Sequence, residues 1–366
     1  MRILIVKLGS IGDIVHTLPA LAALRRALPH AEISWVVERR AAEILRDNPL
    51  LDRLIEVVTK VPRRGLMSGE TLRAPRQQLR RLRASAFDIA LDFQGLLKSA
   101  SIARLSGARR VFGFSREGLR EPASRIFLSK TVFVPKHTHV IRKNLALAAG
   151  ALSVRLTENE ADLDFPINVT ATHEAEARRA SRGLEDYVIL NPGGGWPTKL
   201  WSPERFGVLA DQLWKSYGLH SVVTYGPGEE ELARKVIQSS VSGHTRGVSL
   251  SLKSFYILAK HARLYVGGDT GPTHLAVAAR TPIVGLFGPT EWWRNGSPWE
   301  DDVCVERNEI DCRVDCHRRA CSNWICMDIE VERVFQAVTE RLKRSESGTH
   351  LIPGAIPAGG CESLND

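Results

Sequence analysis

The chain reads as a doubly wound α/β protein made of two similar β/α units. Three observations predict this. Short apolar runs alternate with helix-length amphipathic segments along most of the 366 residues. Glycine-rich turns follow the apolar runs at Gly9 to Gly12, Gly193 to Gly195 and Gly267 to Gly268. The opening segment also repeats the pattern found around residue 266. Alternating β and α favours parallel sheets with helices on their faces, and the length suffices for two domains, each with its own core.

Taken in order, Ile3 to Val6 is a buried first strand, followed by the turn Lys7-Leu8-Gly9-Ser10-Ile11-Gly12-Asp13. A helix then runs through Leu28, with apolar positions at Leu18, Leu21, Leu24 and Leu28. Ile33 to Val37, Leu54 to Val58, Ile89 to Leu91 and Val111 to Phe112 supply further strands. Residues 151 to 182 mix charged helix with the turn-prone Asp164-Phe165-Pro166 and suit a linker, which bounds the domains at 1–165 and 180–344. In the second unit, strand Tyr187 to Leu190 breaks at Asn191-Pro192-Gly193-Gly194-Gly195. Ser202 caps a helix from Pro203 to Tyr217, strand Ser221 to Tyr225 follows, and Gly226-Pro227-Gly228 leads into a helix from Glu229 to Ser239. The run Ala262 to Val266 bends at Gly267 and Gly268, continues as a helix from Thr270 to Ala279, and returns as strand Pro282 to Phe287. Pro272 fits that helix's first turn, where its missing N–H costs nothing. A last helix spans Asp328 to Arg344, and the Ser-, Gly- and Pro-containing segment 345–366 reads as a disordered tail.

Composition is that of a globular protein, and no apolar run reaches the roughly 18 residues of a membrane span. Lys7 and Asp13 interrupt the apolar N-terminus, which argues against a signal peptide and for a cytoplasmic protein. The net charge of +9 is unevenly placed. Residues 1–150 hold 27 basic and 12 acidic residues, net +15, leaving 23 and 29, net −6, for the remainder. Such a field attracts an anionic partner: nucleic acid, a phosphorylated lipid or an acidic membrane face.

The stretch from Val266 to Pro289 carries the most chemistry. Glycines ending a strand let backbone approach a ligand, and the free N–H groups of the next helix attract phosphate. Asp269 in that turn is either a helix cap or part of a ligand site. Asp13, in the first turn of its helix, is either a dipole-stabilised cap or a general base, while His16 reads as structural. Lys199 lies on a loop at a strand's end, where an ammonium can neutralise phosphate. The Gly-x4-Gly-Lys order of a P-loop is absent, and no Gly-x-Gly-x-x-Gly opens the first domain.

Four motifs in this order resemble the bacterial ADP-heptose:lipopolysaccharide heptosyltransferases: Gly12-Asp13-Ile14-Val15-His16-Thr17-Leu18-Pro19, Asp92-Phe93-Gln94-Gly95-Leu96-Leu97-Lys98-Ser99, Lys199-Leu200-Trp201 and Asp269-Thr270-Gly271-Pro272-Thr273-His274-Leu275. The resemblance spans residues 1 to 344. It implies a GT-B fold, two Rossmann-like domains facing across a crevice, and inverting, metal-independent transfer of heptose from an ADP-sugar. It further implies that Asp13 is the base and Lys199 the cation on the leaving diphosphate. Asp269, Thr270, Gly271 and His274 then shape the donor pocket, and Glu230 matches the acid near the ribose. Gly194 and Gly195 stand where the enterobacterial enzymes carry hydroxyl side chains, so donor contacts there come from backbone. Arg120-Glu121-Pro122 and Gln94 to Lys98 look most like heptosyltransferase I, whose acceptor is the Kdo region of lipid A. Arg63, Arg64, Lys98, Arg120 and Arg142 would face that acceptor's anionic groups, with the protein peripheral on the cytoplasmic face of the inner membrane and no nucleic acid bound. The rival readings are a same-fold transferase or epimerase acting on another cell-surface intermediate, and a basic nucleic-acid-binding protein.

Cys312, Cys316, Cys321 and Cys326 lie within fifteen residues at spacing C-x3-C-x4-C-x4-C. This is not a standard zinc arrangement. Two readings stand: a structural zinc, or reduced thiols packing the segment before the last helix.

Overall fold

A computed structural model describes residues 1–59, 79–80, 82–154, 163–313 and 316–346. Arg63 and Arg64 lie outside the described residues, as does the expected tail from residue 347. Two compact units divide the chain, Met1–Asn168 and a second beginning at Val169.

The first unit contains β1 (Arg2–Val6), α1 (Ile11–Val15), α2 (Leu18–Ala27), β2 (Glu32–Glu38), β3 (Arg53–Val57), β4 (Ile89–Asp92), α3 (Leu97–Leu105), β5 (Arg110–Phe114), β6 (Lys130–Val132) and α4 (Val140–Leu152). Its sheet has the order β3-β2-β1-β4-β5-β6, and each pair is parallel. Strand β1 is buried from Ile3 to Val6, as a central strand covered on both faces must be. The strand order reverses between β1 and β4, the point where open α/β sheets bind ligands. Both strands end there in the two motif turns of this unit.

The second unit repeats the plan with α5 (Ala171–Ala180), β7 (Tyr187–Asn191), α6 (Pro203–Tyr217), β8 (His220–Thr224), α7 (Glu230–Ser239), β9 (Thr245–Val248), α8 (Leu252–Lys260), β10 (Leu264–Gly268), α9 (Gly271–Ala278), β11 (Ile283–Phe287), β12 (Val303–Glu306) and α10 (Val331–Glu346). The order is β12-β11-β10-β7-β8-β9, so the switch point falls between β7 and β10. Among the described residues no helix is long and apolar enough to cross a membrane.

The expected doubly wound class is what the structure has, with differences at particular elements. Gly267 and Gly268 do not bend; they stay in β10, paired with Gly285 and Leu286 of β11. Without Cβ atoms they fit a strand as well as a turn, and the ladder decides. Helix α5 lies inside the stretch read as a linker and packs on α8, with the Ser254 hydroxyl donating to Glu176 at 2.6 Å. Helix α10 runs on to Glu346, two residues into the expected tail.

Candidate active site

In the first unit, β1 leads directly into Lys7, and α1 carries Asp13 in its first turn. Ser10 precedes α1, and its backbone N–H donates to Asp13 Oδ2 at 3.0 Å, so Asp13 does serve the helix start. That is only part of its role. Its Oδ1 lies 3.2 Å from the buried Lys7 ammonium, and Oδ2 lies 3.7 Å from the half-exposed guanidinium of Arg120. Burial alone would raise the Asp13 pKa, but Lys7, Arg120 and the Ser10 N–H together hold it below the usual carboxylate range. A carboxylate kept charged yet partly accessible can accept a proton from a bound hydroxyl.

The second motif of this unit is organised by Asp92 at the end of β4. Its Oδ1 accepts from the N–H groups of Gln94 and Gly95 at 3.0 and 3.3 Å. Gly95 has φ +69°, and a Cβ there would meet Arg120 N at 3.3 Å. The chain carrying Arg120 can therefore lie against this turn, where Glu121 N donates to Gly95 O at 3.0 Å. Glu121 Oε2 in turn accepts from Leu97 N at 2.6 Å and closes the start of α3. Lys98 is drawn to Glu38 Oε1 and Thr59 Oγ1, both at 2.7 Å, and is shared with an internal partner. Arg142 is half-buried in the first turn of α4.

In the second unit, Lys199 sits on a single 3₁₀ turn, Pro197–Lys199. That turn is anchored on both sides. The Trp201 indole is buried and donates to Ile329 O at 2.8 Å, while Thr198 donates to Arg318 O at 2.7 Å and accepts from Trp324 Nε1 at 2.9 Å. The Lys199 ammonium lies 2.6 Å from Asp269 Oδ2 and 4.4 Å from the centroid of the Trp196 ring. His274 Nε2 is 3.1 Å from Asp269 Oδ1. Burial would raise the Asp269 pKa, but the His274 hydrogen bond and the Lys199 charge hold it far below the usual carboxylate range. Thr270, not Asp269, is the N-cap of α9. This removes the reading of Asp269 as a simple cap: its carboxylate seats a lysine and a histidine instead.

Thr270 and Gly271 open α9, with Pro272 in its first turn, so free N–H groups and the helix dipole flank the Lys199 cation. The glycine turn after β7 holds a residue that sequence reasoning missed. Glu229 Oε1 accepts from Gly194 N at 3.0 Å and Oε2 from Gly226 N at 2.9 Å. A Cβ on Gly193 would lie 2.4 Å from the same carboxylate. Glu230, the acid the resemblance selected, is exposed at the start of α7 and accepts from Gly228 N at 3.2 Å. Two adjacent acids are indistinguishable in a motif; the direction of the chain entering α7 separates them. Lys7 was missed as well, because a lysine ending a strand has no signature of its own.

The cysteine segment gives a mixed result. Cys326 is buried, Cys316 half-buried, and Cys312 and Cys321 exposed, so packing alone does not account for the cluster. Burial pushes the Cys326 thiol pKa up, and the other three thiols add to it, Cys316 most. Among the described residues no three His, Cys, Asp or Glu side chains stand in metal-coordinating geometry.

The family model for glycosyltransferase family 9 (heptosyltransferase) matches residues 76–324. The chain belongs to this family. The transferase is 32% identical over 292 residues to lipopolysaccharide heptosyltransferase 1 of Pseudomonas aeruginosa, covering 79% of each chain. Its identity to lipopolysaccharide heptosyltransferase 1 of Escherichia coli K12 is 28% over 293 residues, 80% of this chain and 89% of the other. Among solved structures, E. coli heptosyltransferase WaaC with ADP matches at TM-score 0.75 and 25% identity, over 93% of this chain and 100% of that one. The GT-B class follows from that likeness and from the two parallel six-stranded sheets.

Proposed function

We propose that this transferase is an inverting enzyme that moves heptose from ADP-heptose to the Kdo region of lipid A in lipopolysaccharide inner-core synthesis. The observation that carries the reading is Asp13, a carboxylate held charged by Lys7 and Arg120 at a strand switch point of a family 9 chain. The donor is argued from WaaC, which has been solved with ADP and with ADP-2-deoxy-2-fluoro heptose.

In this mechanism Asp13 takes the proton of the acceptor hydroxyl as its oxygen bonds to the anomeric carbon. The bond from that carbon to the diphosphate breaks, and its electron pair leaves with ADP. Negative charge then grows on the diphosphate, and the Lys199 ammonium with the N–H groups opening α9 stabilises it. Asp269 keeps the ammonium in place, and His274 keeps Asp269 in place. Arg120 serves the acceptor's carboxylates and phosphates, as do Arg63, Arg64 and Arg142.

The acceptor is a lipid, and the first unit offers a surface suited to its membrane. Between Arg104 and Lys136 there are eight Lys and Arg residues against Glu117 and Glu121. Ile126 and Phe133, on either side of the edge strand β6, are 77% and 70% exposed. Basic residues around exposed apolar side chains match an anionic bilayer surface. Co-sedimentation with anionic vesicles should fall for Ile126→Ser with Phe133→Ser; unchanged sedimentation removes this surface.

The direct test is incubation with ADP-heptose and Kdo-lipid A, following ADP release and product mass. One added heptose, with its anomeric configuration inverted, is expected. ADP release that does not require Kdo-lipid A overturns the acceptor.

A further inference from the structure

Asp13 carries two cations of different character. Arg120 is half exposed, 3.7 Å away, and free to turn toward a ligand. Lys7 is 3% exposed and fixed. Its backbone N–H donates to Val36 O at 3.3 Å, its carbonyl accepts from the Trp35 indole at 3.0 Å, and its ammonium donates to Phe93 O at 2.9 Å. Phe93 follows β4 directly, so the ammonium is held between the ends of β1 and β4 and points at Asp13 Oδ1. The remaining charged group in the same field is Asp92, buried at the end of β4.

We infer that Lys7 is a positioning residue for the base: a seated internal cation that keeps Asp13 charged and aimed while an anionic acceptor engages Arg120. The inference rests on the reading of Asp13 as base. An acceptor bearing carboxylates and phosphates brings negative charge toward Asp13 and draws the Arg120 guanidinium to itself. Both changes favour a proton on Asp13 before the reaction has used it. An exposed cation cannot prevent this, since the acceptor competes for it. A buried one can, because its ammonium is shielded from solvent and held by Asp13 and the Phe93 carbonyl. Burial lowers the Lys7 pKa, and the neighbouring Asp13 is the principal force opposing that shift, so the two charges sustain each other.

The test is the pH dependence of kcat and kcat/KM for Lys7→Met, Lys7→Arg, Asp13→Asn and Asp92→Asn, with ADP binding by calorimetry as the check on folding. Asp13→Asn should lower turnover by about 100-fold or more, the range of general-base loss. In Lys7→Met the acid limb should move up by roughly one to three pH units, the effect of removing an opposite charge at this range. The sign follows from the chemistry: without the cation Asp13 holds its proton to higher pH, so the loss is larger at pH 6 than at pH 8. Lys7→Arg should restore the limb toward its original place. Burial pushes the Asp92 pKa up to about 6, so its own titration falls in the same window. An acid limb abolished in Asp92→Asn would therefore assign the limb to Asp92 and overturn the inference. So would a Lys7→Met enzyme that binds ADP normally and keeps the original limb. Near-normal turnover in Asp13→Asn would instead defeat the base reading itself.

Discussion

Lys199→Met tests the donor-side constellation with a magnitude that the structure fixes. The change keeps the length of the side chain but leaves the Asp269 carboxylate, whose side chain is 5% exposed, without its partner at 2.6 Å. Removing one member of a buried ion pair costs about 3–5 kcal/mol, mostly because the other charge stays buried. Here His274 still reaches Asp269 Oδ1 at 3.1 Å and Asn295 Nδ2 lies 3.5 Å from Oδ2, which places the loss at the low end. For a unit of this size each kcal/mol moves Tm by roughly 2–4 °C, so a fall of about 6–12 °C is expected in a thermal scan. The depressed Asp269 pKa sets the pH window. Stability from such a carboxylate is fully present above its unfolded pKa of about 3.9 and is lost only as pH falls toward the folded value. The Tm difference should therefore be constant from about pH 5 to 8. Lys199→Met combined with Asp269→Asn removes both charges and should melt well above Lys199→Met alone. Turnover should drop about 100- to 1000-fold in either background, as expected for a lost stabiliser of developing charge. A Lys199→Met protein with unchanged Tm, ADP affinity and turnover would refute the argument.

Three further outcomes follow from single contacts. Glu229→Ala should weaken ADP binding about tenfold, the order of one charge-assisted hydrogen bond, because the turns at Gly194 and Gly226 lose their shared acceptor; an effect confined to Glu230→Ala would return the nucleotide role to Glu230. Arg120→Ala should raise the acceptor KM and flatten its salt dependence while calorimetry with ADP stays unchanged, and a selective loss of ADP affinity would reverse the assignment of this arginine. Elemental analysis of protein purified under reducing conditions decides the cysteine segment: close to one zinc per chain, with a chelator lowering Tm and Cys316→Ser loosening the segment that clamps Thr198, would make Cys312 to Cys326 a structural zinc site, and metal-free protein leaves them reduced thiols.

Much of the fold was legible because its information is local. Strands Ile3 to Val6 and Tyr187 to Leu190 are short runs of residues that must all be buried, and Ser202 before Pro203 marks a helix start that α6 uses. Strands β6, β9 and β12 were not legible: their three or four residues include Lys130, Arg246 and Glu306 in place of an apolar run such as that of β4, and only pairing with β5, β8 and β11 makes them strands.

The sequence by itself determined which residue types stand at the strand ends, since the motifs around Asp13, Asp92, Lys199 and Asp269 are contiguous and their order is unusual. Only the tertiary structure decided what those residues are. The convergence of glycine-rich turns at strand ends already favoured a ligand group over a cap at Asp269, but only the structure supplies its partner, Lys199, 70 positions earlier and 2.6 Å away. Asp13 became a charged, positioned carboxylate through Lys7 at the end of the strand that leads into its own helix and through Arg120, which the turn at Gly95 holds against it. Glu229 joins Glu230 at the glycine turns: its carboxylate links Gly194 N to Gly226 N, while Glu230 accepts from Gly228 N alone. Caps and turns depend on neighbours in the chain, whereas the charge state of a buried group depends on neighbours in space, and those are set by the order in which the strands pair.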